Sequence, residues 1–331
     1  MEGEKRKMKQ SEILIDEEKR KPITSSASSD SRFEDNGMNG TEFAIADRIG
    51  AIRAMAEKCD LEGGAYLSFS GGSDSCLTSR LIDEALPGNR IPRVFINTGV
   101  EYNEVLRFVR ELQMKDDRIV FLSPKGSFKK KLEDFGYPFK SKEHSLFLSL
   151  YQRDNGNATA RKYLSKSRFG CPKSLAFQFE PGYPLKVSSV CCRENKKKVA
   201  REYERTSGRR IRMTGMRKAE GGLRASSSGC VIKGKDGSVT SFNPLFPVSD
   251  VEKEGMIKAL DVRLPSLYYP PFNFKRTGCK GCPYAIDLQR ELDLLEEFFP
   301  TERKQCEAIW GPVYDEYRRL GYRLCKKGEK K

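Results

Sequence analysis

Four of the ten cysteines in this 331-residue chain are spaced so that they can act together. Cys191 and Cys192 stand side by side in SSVCCRENKKK, and Cys279 and Cys282 form a CxxC pair in RTGCKGCPY. A disulfide between neighbours strains the peptide that joins them, so the doublet reads as two separate thiols. Together the four thiolates suffice for one [4Fe–4S] cluster. Soft thiolates suit zinc as well, so residue types alone leave the metal open.

A second chemical signature is SFSGGSDS at residues 68–75. Its two glycines let the backbone approach an anion closely. The amides that follow, at the start of a helix, then point at that anion. The lysine and the spacing of a Walker A loop are missing. His144, the only histidine, leaves little material for a Ser-His-Asp hydrolase or a His-rich metal site and reads as incidental. Trp310, among several tyrosines, reads as packing for a C-terminal helix.

These residues need elements to hold them. TEFAIADRIGAIRAMAEK places Ile45, Ile49, Ile52 and Met55 on one helical face. AYLSFS, RVFIN and RIVFLS read as short buried strands. CLTSRLIDEAL, stopped by Pro87-Gly88, and NEVLRFVRELQ read as the helices between them. Strands alternating with helices, with no hairpin between them, predict parallel βαβ units with right-handed crossovers. Ligands in such sheets bind at the carboxyl ends of the strands. Residues 138–190 show no clear periodicity. VAREYERTSG reads as a helix ending at Gly208, and DLQRELDLLEEFF as another, with Leu288, Leu292 and Leu295 on one face.

The net charge of +15 is concentrated. Residues 125–173 hold 12 basic and 4 acidic side chains, and residues 186–224 hold 13 and 4. This density predicts an anionic partner, for which a nucleotide and a nucleic acid both qualify. Residues 1–40, with 8 basic and 9 acidic side chains and few large apolar ones, read as a disordered tail. No apolar run is long enough for a membrane span, and the N-terminus lacks the apolar core of a secretory signal. Clustered cysteines in that setting predict a reducing cytoplasmic location, with metal binding or chemistry rather than disulfides.

The phosphate loop resembles the PP-loop, SGGxDS, of the ATP pyrophosphatases, which cleave ATP between the α- and β-phosphates. The resemblance implies that Ser70, Gly71, Gly72, Ser73 and Ser75 hold pyrophosphate and that Asp74 helps hold Mg²⁺. It also implies that Asn97, Thr98 and Gly99, in the strand-end segment INTGVEY, lie near the adenosine. The doublet followed 87 positions later by CxxC resembles the cluster motif of the adenylylsulfate and phosphoadenylylsulfate (APS and PAPS) reductase superfamily. By that likeness Cys191, Cys192, Cys279 and Cys282 are ligands of one [4Fe–4S] cluster, and Lys196 is the lysine near it. TGMRKAEGGLRA resembles the superfamily's Thr-Gly-x-Arg segment, which nominates Arg217 and Arg224, with Lys218 beside them, for the sulfate or phosphate end of the nucleotide. Guanidinium forks suit such oxygens. FNPLFPVSDVEKEGMIKAL resembles the segment leading into the CxxC, so the likeness spans about residues 60–290.

Two departures matter. Sulfonucleotide reductases usually carry a degraded phosphate loop, whereas this chain keeps SGGSDS whole. They also end in a Glu-Cys-Gly-Leu-His-like tail, where this chain has GYRLCKKGEKK around Cys325. Both departures point to the subgroup with an intact loop, such as the sulfurtransferases of DNA phosphorothioation. Cys230, in SSSGCVIKG, is a candidate sulfur carrier or extra ligand, and equally a buried thiol.

The resemblance therefore implies an α/β fold: a Rossmann-like, doubly wound parallel sheet of the adenine nucleotide alpha-hydrolase type with a C-terminal iron–sulfur helical extension. Residues 1–40 would be a tail, 41–260 the nucleotide-binding domain and 261–331 the CxxC-containing helical region packed on it. The expected activity is an ATP-pyrophosphatase-type sulfurtransferase using ATP, Mg²⁺ and the cluster. The alternatives are an APS or PAPS reductase, or a non-catalytic iron–sulfur protein that binds nucleic acid. Expected partners are an adenine nucleotide, a nucleic-acid acceptor and a sulfur or electron donor protein, with no membrane.

Overall fold

Three short apolar runs form the first half of a central sheet: β1 (Ala65–Phe69), β2 (Arg93–Ile96) and β3 (Ile119–Leu122). Each begins with a buried residue, and Ala65, Leu67, Val94 and Phe95 are almost wholly buried, as strands covered on both faces require. The computed structural model describes residues 40–165, 170–221 and 229–326, all within one compact unit. Helix α1 (Gly40–Lys58) and the short α2 (Leu61–Gly64) precede β1. Helices α3 (Ser73–Ala85) and α4 (Asn103–Gln113) make the two crossovers.

The sheet order is β3-β2-β1-β4-β6-β5. The chain winds outward from β1 through β2 to β3, then returns to the other side of β1 with β4 (Ile211–Met213). Where the winding reverses, loops diverge and leave a crevice at the carboxyl ends of β1 and β4. The five strands from β3 to β6 (Val239–Phe242) run parallel. The edge strand β5 (Val231–Lys233) is antiparallel to β6, a hairpin turning at Asp236-Gly237 that adds one strand to the parallel sheet expected. The fold is nonetheless α/β and Rossmann-like, with a parallel-dominant sheet flanked by helices.

Between β3 and β4 lies a long helical excursion: α5 (Phe128–Phe135), α6 (Lys142–Arg153), α7 (Ala158–Ser165), a 3₁₀ turn (Lys173–Phe179), a π-helical turn (Arg193–Lys197) and α8 (Lys198–Ser207). Ser127 and Ser141 start α5 and α6 by accepting amide protons from Lys130 and His144. Helix α8 ends at Gly208 in the left-handed conformation, where the sequence pattern places its stop. Three further helices follow, α9 (Asp250–Ala259), α10 (Leu288–Phe298) and α11 (Pro300–Leu320).

The inward side of α1 is shifted by one position from the expected face. Ala44, Arg48, Ile52 and Met55 are buried, while Ile45 and Ile49 are partly covered. Arg48 reaches inside because its guanidinium finds the Pro244 carbonyl at 3.0 Å. Residues 1–39, most of the expected tail, lie outside the described residues. No helix among the described residues is long and apolar enough to cross a membrane.

Candidate functional site

The phosphate loop leaves β1 at Ser70 and enters α3 at Ser73, the strand–turn–helix placement that aims amides at an anion. Its hydroxyls are locally satisfied. Ser75 Oγ donates to the Gly72 carbonyl at 2.9 Å and accepts the Ser70 amide at 3.2 Å, and Ser70 Oγ accepts the Gly72 amide at 3.3 Å. The Ser73 amide donates to Tyr268 OH at 3.0 Å.

Asp74, on the first turn of α3, is met from β4. Gly215 packs so closely that a Cβ there would stand 2.7 Å from the Asp74 backbone carbonyl. This approach delivers Arg217, whose Nε lies 2.7 Å from Asp74 Oδ1. The rest of its fork is used as well, with Nη1 on the Val248 carbonyl at 3.2 Å and Nη2 on Asp250 at 2.7 Å. Arg217 is buried, so the structure places it on Asp74 and at the floor of the crevice. Lys218 follows in a short turn, exposed to solvent. Arg224 lies outside the described residues.

The turn after β2 holds Asn97, Thr98 and Gly99. Thr98 donates both its amide (2.8 Å) and its hydroxyl (2.9 Å) to Glu101, and Gly99 donates its amide to Asn97 Oδ1 at 3.0 Å. Glu101 is buried, pairs with Lys196 Nζ at 3.4 Å, and forms a β-bridge with Cys279. The loop after β2 and the CxxC segment are thus stitched together. A pocket of about 150 Å³ opens there, lined by Ser70, Ile96, Glu101, Lys196 and Thr277 among others.

Cys191 and Cys192 precede the π-helical turn, whose widened backbone is a common mark of functional helices. Asn195 on that turn donates to the Cys191 carbonyl at 3.1 Å and accepts from Lys131 Nζ at 3.1 Å. Burial, with the charges of Cys192 and Cys279, pushes the Cys191 thiol up to about 12. Cys282 is raised well above its ordinary range by burial and then by Cys279, Cys192 and Cys191. Lys196 is held above its usual range chiefly by the Cys279 thiolate. The four sequence-nominated thiols therefore share one electrostatic neighbourhood. Among the described residues, however, no three His, Cys, Asp or Glu side chains stand close enough together to hold a single metal ion.

The CxxC loop takes its shape from α11. Trp310, Tyr314 and Tyr317 lie on one helical face and donate in turn to the carbonyls of Lys280 (3.1 Å), Gly281 and Pro283 (2.8 Å). Gly281 has φ near +60°, and a Cβ on it would stand 2.8 Å from Cys306 Sγ, so only glycine fits. Lys280 is buried and paired with Glu302 at 3.2 Å and Gln305 at 2.6 Å. Trp310 thus packs a C-terminal helix as expected and also positions the cysteine loop.

The other nominated residues lie apart. Cys230 precedes β5, and its carbonyl accepts the Asn243 amide at 2.6 Å, which sets its backbone beside Thr214 and the Gly215 segment. Cys325 donates its amide to Gln289 at 3.0 Å. His144 is fully buried between Tyr163 OH (3.1 Å) and Gln178 Oε1 (2.8 Å), and burial pushes its pKa down to about 4, so it is a neutral core residue and no surface group. Sequence reading missed Glu101, Tyr268 and Thr277. A carboxylate just past a strand's carboxyl end was a usable signal for Glu101, whereas nothing local marks the other two.

No curated protein sequence matches the chain. Among solved structures it is similar to the phosphoadenylyl-sulfate (PAPS) reductase of Candida auris, with 13% identity, 73% of this chain and 96% of that one covered, and a TM-score of 0.41. It is also similar to the U34-tRNA thiolase NcsA of Methanococcus maripaludis, solved with its [4Fe-4S] cluster (14% identity, 85% and 80% covered, TM-score 0.39). A third is the NH3-dependent NAD synthetase of Campylobacter jejuni (13% identity, 84% and 96% covered, TM-score 0.37). Residues 64–285, from the start of β1 to just past the CxxC pair, match the phosphoadenosine phosphosulfate reductase domain. The chain belongs to that family.

Proposed function

We propose that the chain is an ATP-pyrophosphatase-type sulfurtransferase in which Cys191, Cys192, Cys279 and Cys282 hold a [4Fe–4S] cluster. The observation that supports it most is a whole SGGSDS loop in the same crevice as four mutually sensing thiols. The donor set suits a cluster better than zinc. Four thiolates on one zinc ion converge on a single atom, whereas in a cubane each binds a different iron and they stand farther apart. The family's doublet-plus-CxxC motif favours the second arrangement, and metal analysis of the anaerobic protein decides between them.

In this reading the loop amides and the α3 N-terminus take the β- and γ-phosphates of ATP. An oxygen of the acceptor attacks the α-phosphorus, the bond to the bridging oxygen breaks, and pyrophosphate leaves with its charge spread over those amides. A sulfur nucleophile then attacks the activated carbon and AMP departs with the acceptor's oxygen. Mg²⁺, when bound, would neutralise phosphate charge, with Asp74 the carboxylate placed to hold it. Arg217 would orient Asp74 through its Nε contact. The cluster, when bound, would supply a site for a sulfur species or an electron. Lys196 and Glu101 would set the charge between the two halves of the crevice, and Cys230 would serve as a sulfur carrier.

The basic stretches favour a nucleic-acid acceptor. Lys131 ties α5 to the π-helical turn, and Lys129, Lys130, Lys197 and Arg201 are exposed on α5, that turn and α8. Of the aromatics there, Phe128, Tyr137, Phe139 and Tyr163 are buried, which leaves Phe135 and Tyr151 for stacking. An open groove of about 1040 Å³ past Val190 and Arg193 adjoins the doublet and would receive a sulfur or electron donor protein.

The family itself favours a second reading, reduction of APS or PAPS. Labelled ATP with candidate acceptors, and labelled APS or PAPS in parallel, separate the two. Pyrophosphate release carries the first, sulfite release the second, and neither activity leaves a binding protein. Nucleic-acid binding should weaken at least about tenfold between roughly 50 and 200 mM salt if phosphates are being neutralised. Salt-insensitive binding returns the acceptor to small molecules.

A further inference from the structure

The segment that brings Cys279 to the site first passes over the phosphate loop. Tyr268, at the end of a short turn (Ser266–Tyr268), accepts the Ser73 amide proton at 3.0 Å. The same hydroxyl lies 2.9 Å from Thr277 Oγ1. Both oxygens are 3.3 Å from where a Cβ on Gly72 would stand, so the pair closes directly over the glycine turn. Ser73 is the first residue of α3, and its amide is one of the donors that a helix leaves for an outside acceptor. A neutral hydroxyl therefore sits where a phosphate oxygen would be held.

Thr277 is two residues from Cys279. Beyond it the chain is fixed to the loop after β2, through the Glu101–Cys279 bridge and the Lys280 amide on the Val100 carbonyl at 2.7 Å. Thr277 also lines the small pocket with Lys196 and Glu101. One continuous strap thus touches both halves of the site, and two hydroxyls are its contact with the phosphate half.

We propose that Tyr268 competes with an incoming phosphate for the Ser73 amide, and that its displacement is relayed through Thr277 to the CxxC segment. Tyr268 is then a positioning residue that couples occupancy of the phosphate loop to the shape of the cysteine site. The inference rests on the phosphate-loop reading but not on the sulfurtransferase reaction.

The test uses inorganic pyrophosphate, titrated by calorimetry into the full-length protein prepared anaerobically. Tyr268→Phe removes the competing oxygen and keeps the ring, so pyrophosphate should bind roughly two- to tenfold more tightly, the ratio one net hydrogen bond represents. Trp310, the only tryptophan, donates to the Lys280 carbonyl, so its emission reads the CxxC loop whatever metal is held there. Pyrophosphate should change that emission in the wild type and change it less in Thr277→Val, which keeps the Tyr268–Ser73 bond but cuts the relay. Unchanged or weaker pyrophosphate binding by Tyr268→Phe overturns the competition. A wild-type emission that ignores bound pyrophosphate, or an undiminished response in Thr277→Val, overturns the relay. A wild type that binds no pyrophosphate at all overturns the phosphate-loop reading and this proposal with it.

Discussion

The groups of the phosphate loop fall within residues 70–75, whereas the four thiols come from two segments separated by 87 positions between Cys192 and Cys279. The loop's own hydroxyls, strand and helix fix its shape, and two side chains reach it from outside, Tyr268 at the Ser73 amide and Arg217 at Asp74. The cysteine site borrows its shape. The doublet is held through Asn195 and Lys131, and the CxxC loop through three donors on α11 and a buried Lys280–Glu302 pair. A site made of neighbours survives changes elsewhere in the fold, and a site assembled from afar inherits every weakness of its scaffold.

The sharpest way to separate the two halves is to remove one thiol. Cys279→Ser should lower anaerobic iron from about four per chain to below one while pyrophosphate binding persists. Stoichiometric zinc in the wild type, or full iron in the variant, would break the cluster assignment. The reverse cut is Asp74→Ala, which should slow ATP-dependent pyrophosphate release about 100-fold or more at unchanged iron content. Undiminished turnover there would detach catalysis from the loop.

Acid should act on the assembled side first. His144, Gln178, Tyr183 and Glu316 form a buried chain of hydrogen bonds that pins α6 and the 3₁₀ turn to α11. His144 titrates near 4 when folded and near 6.5 when unfolded, so its neutral form stabilises the fold fully above about pH 6.5. That contribution, about 3 kcal/mol, is lost as pH falls toward 4. Denaturant midpoints should drop over this window in the wild type and drop less in His144→Gln. Equal acid sensitivity in both would place the pin elsewhere. The smallest expected effect is Tyr314→Phe, which leaves the Gly281 carbonyl without its donor and should destabilise the protein by about 1 kcal/mol while hastening iron loss in air. If iron retention is unaffected, α11 is not what shapes the loop.

Sequence reading placed SGGSDS between a strand and a helix, as the structure has it, because each part is local: strand, glycine turn, helix. It named the four cysteines from their spacing and their likeness to a known motif, and the structure brings them into one neighbourhood. It did not find their support. The clamp by Trp310, Tyr314 and Tyr317 is a tertiary contact between a loop and a helix some thirty residues on, and the tyrosines look like ordinary core residues in sequence. Helices α6 and α7 were missed because their buried faces are short and interrupted by polar residues such as His144 and Ser145, whose burial depends on distant partners. The β5–β6 hairpin was legible, since Asp-Gly between two β-branched runs is a strong turn signal, but the expectation of a parallel sheet overrode it. The nomination of Arg217 for substrate stopped short of its tertiary partners, Asp74 and Asp250, which hydropathy cannot reveal.

The clamp on the CxxC loop also orders events during synthesis. The phosphate loop has its strand and helix by residue 85 and its β4 partner by residue 213, so that half of the crevice is complete while the ribosome is still working. In the loop with Cys279 and Cys282, the carbonyls of Lys280, Gly281 and Pro283 lack these donors until α11, residues 300–320, has emerged. Before that point the CxxC loop is held at its start, by the Glu101–Cys279 bridge and the Lys280 amide on Val100, and after it the loop is clamped along its length. On the proposed cluster reading, loading waits for α11, and a nascent chain should form the SGGSDS crevice before the thiol site is shaped.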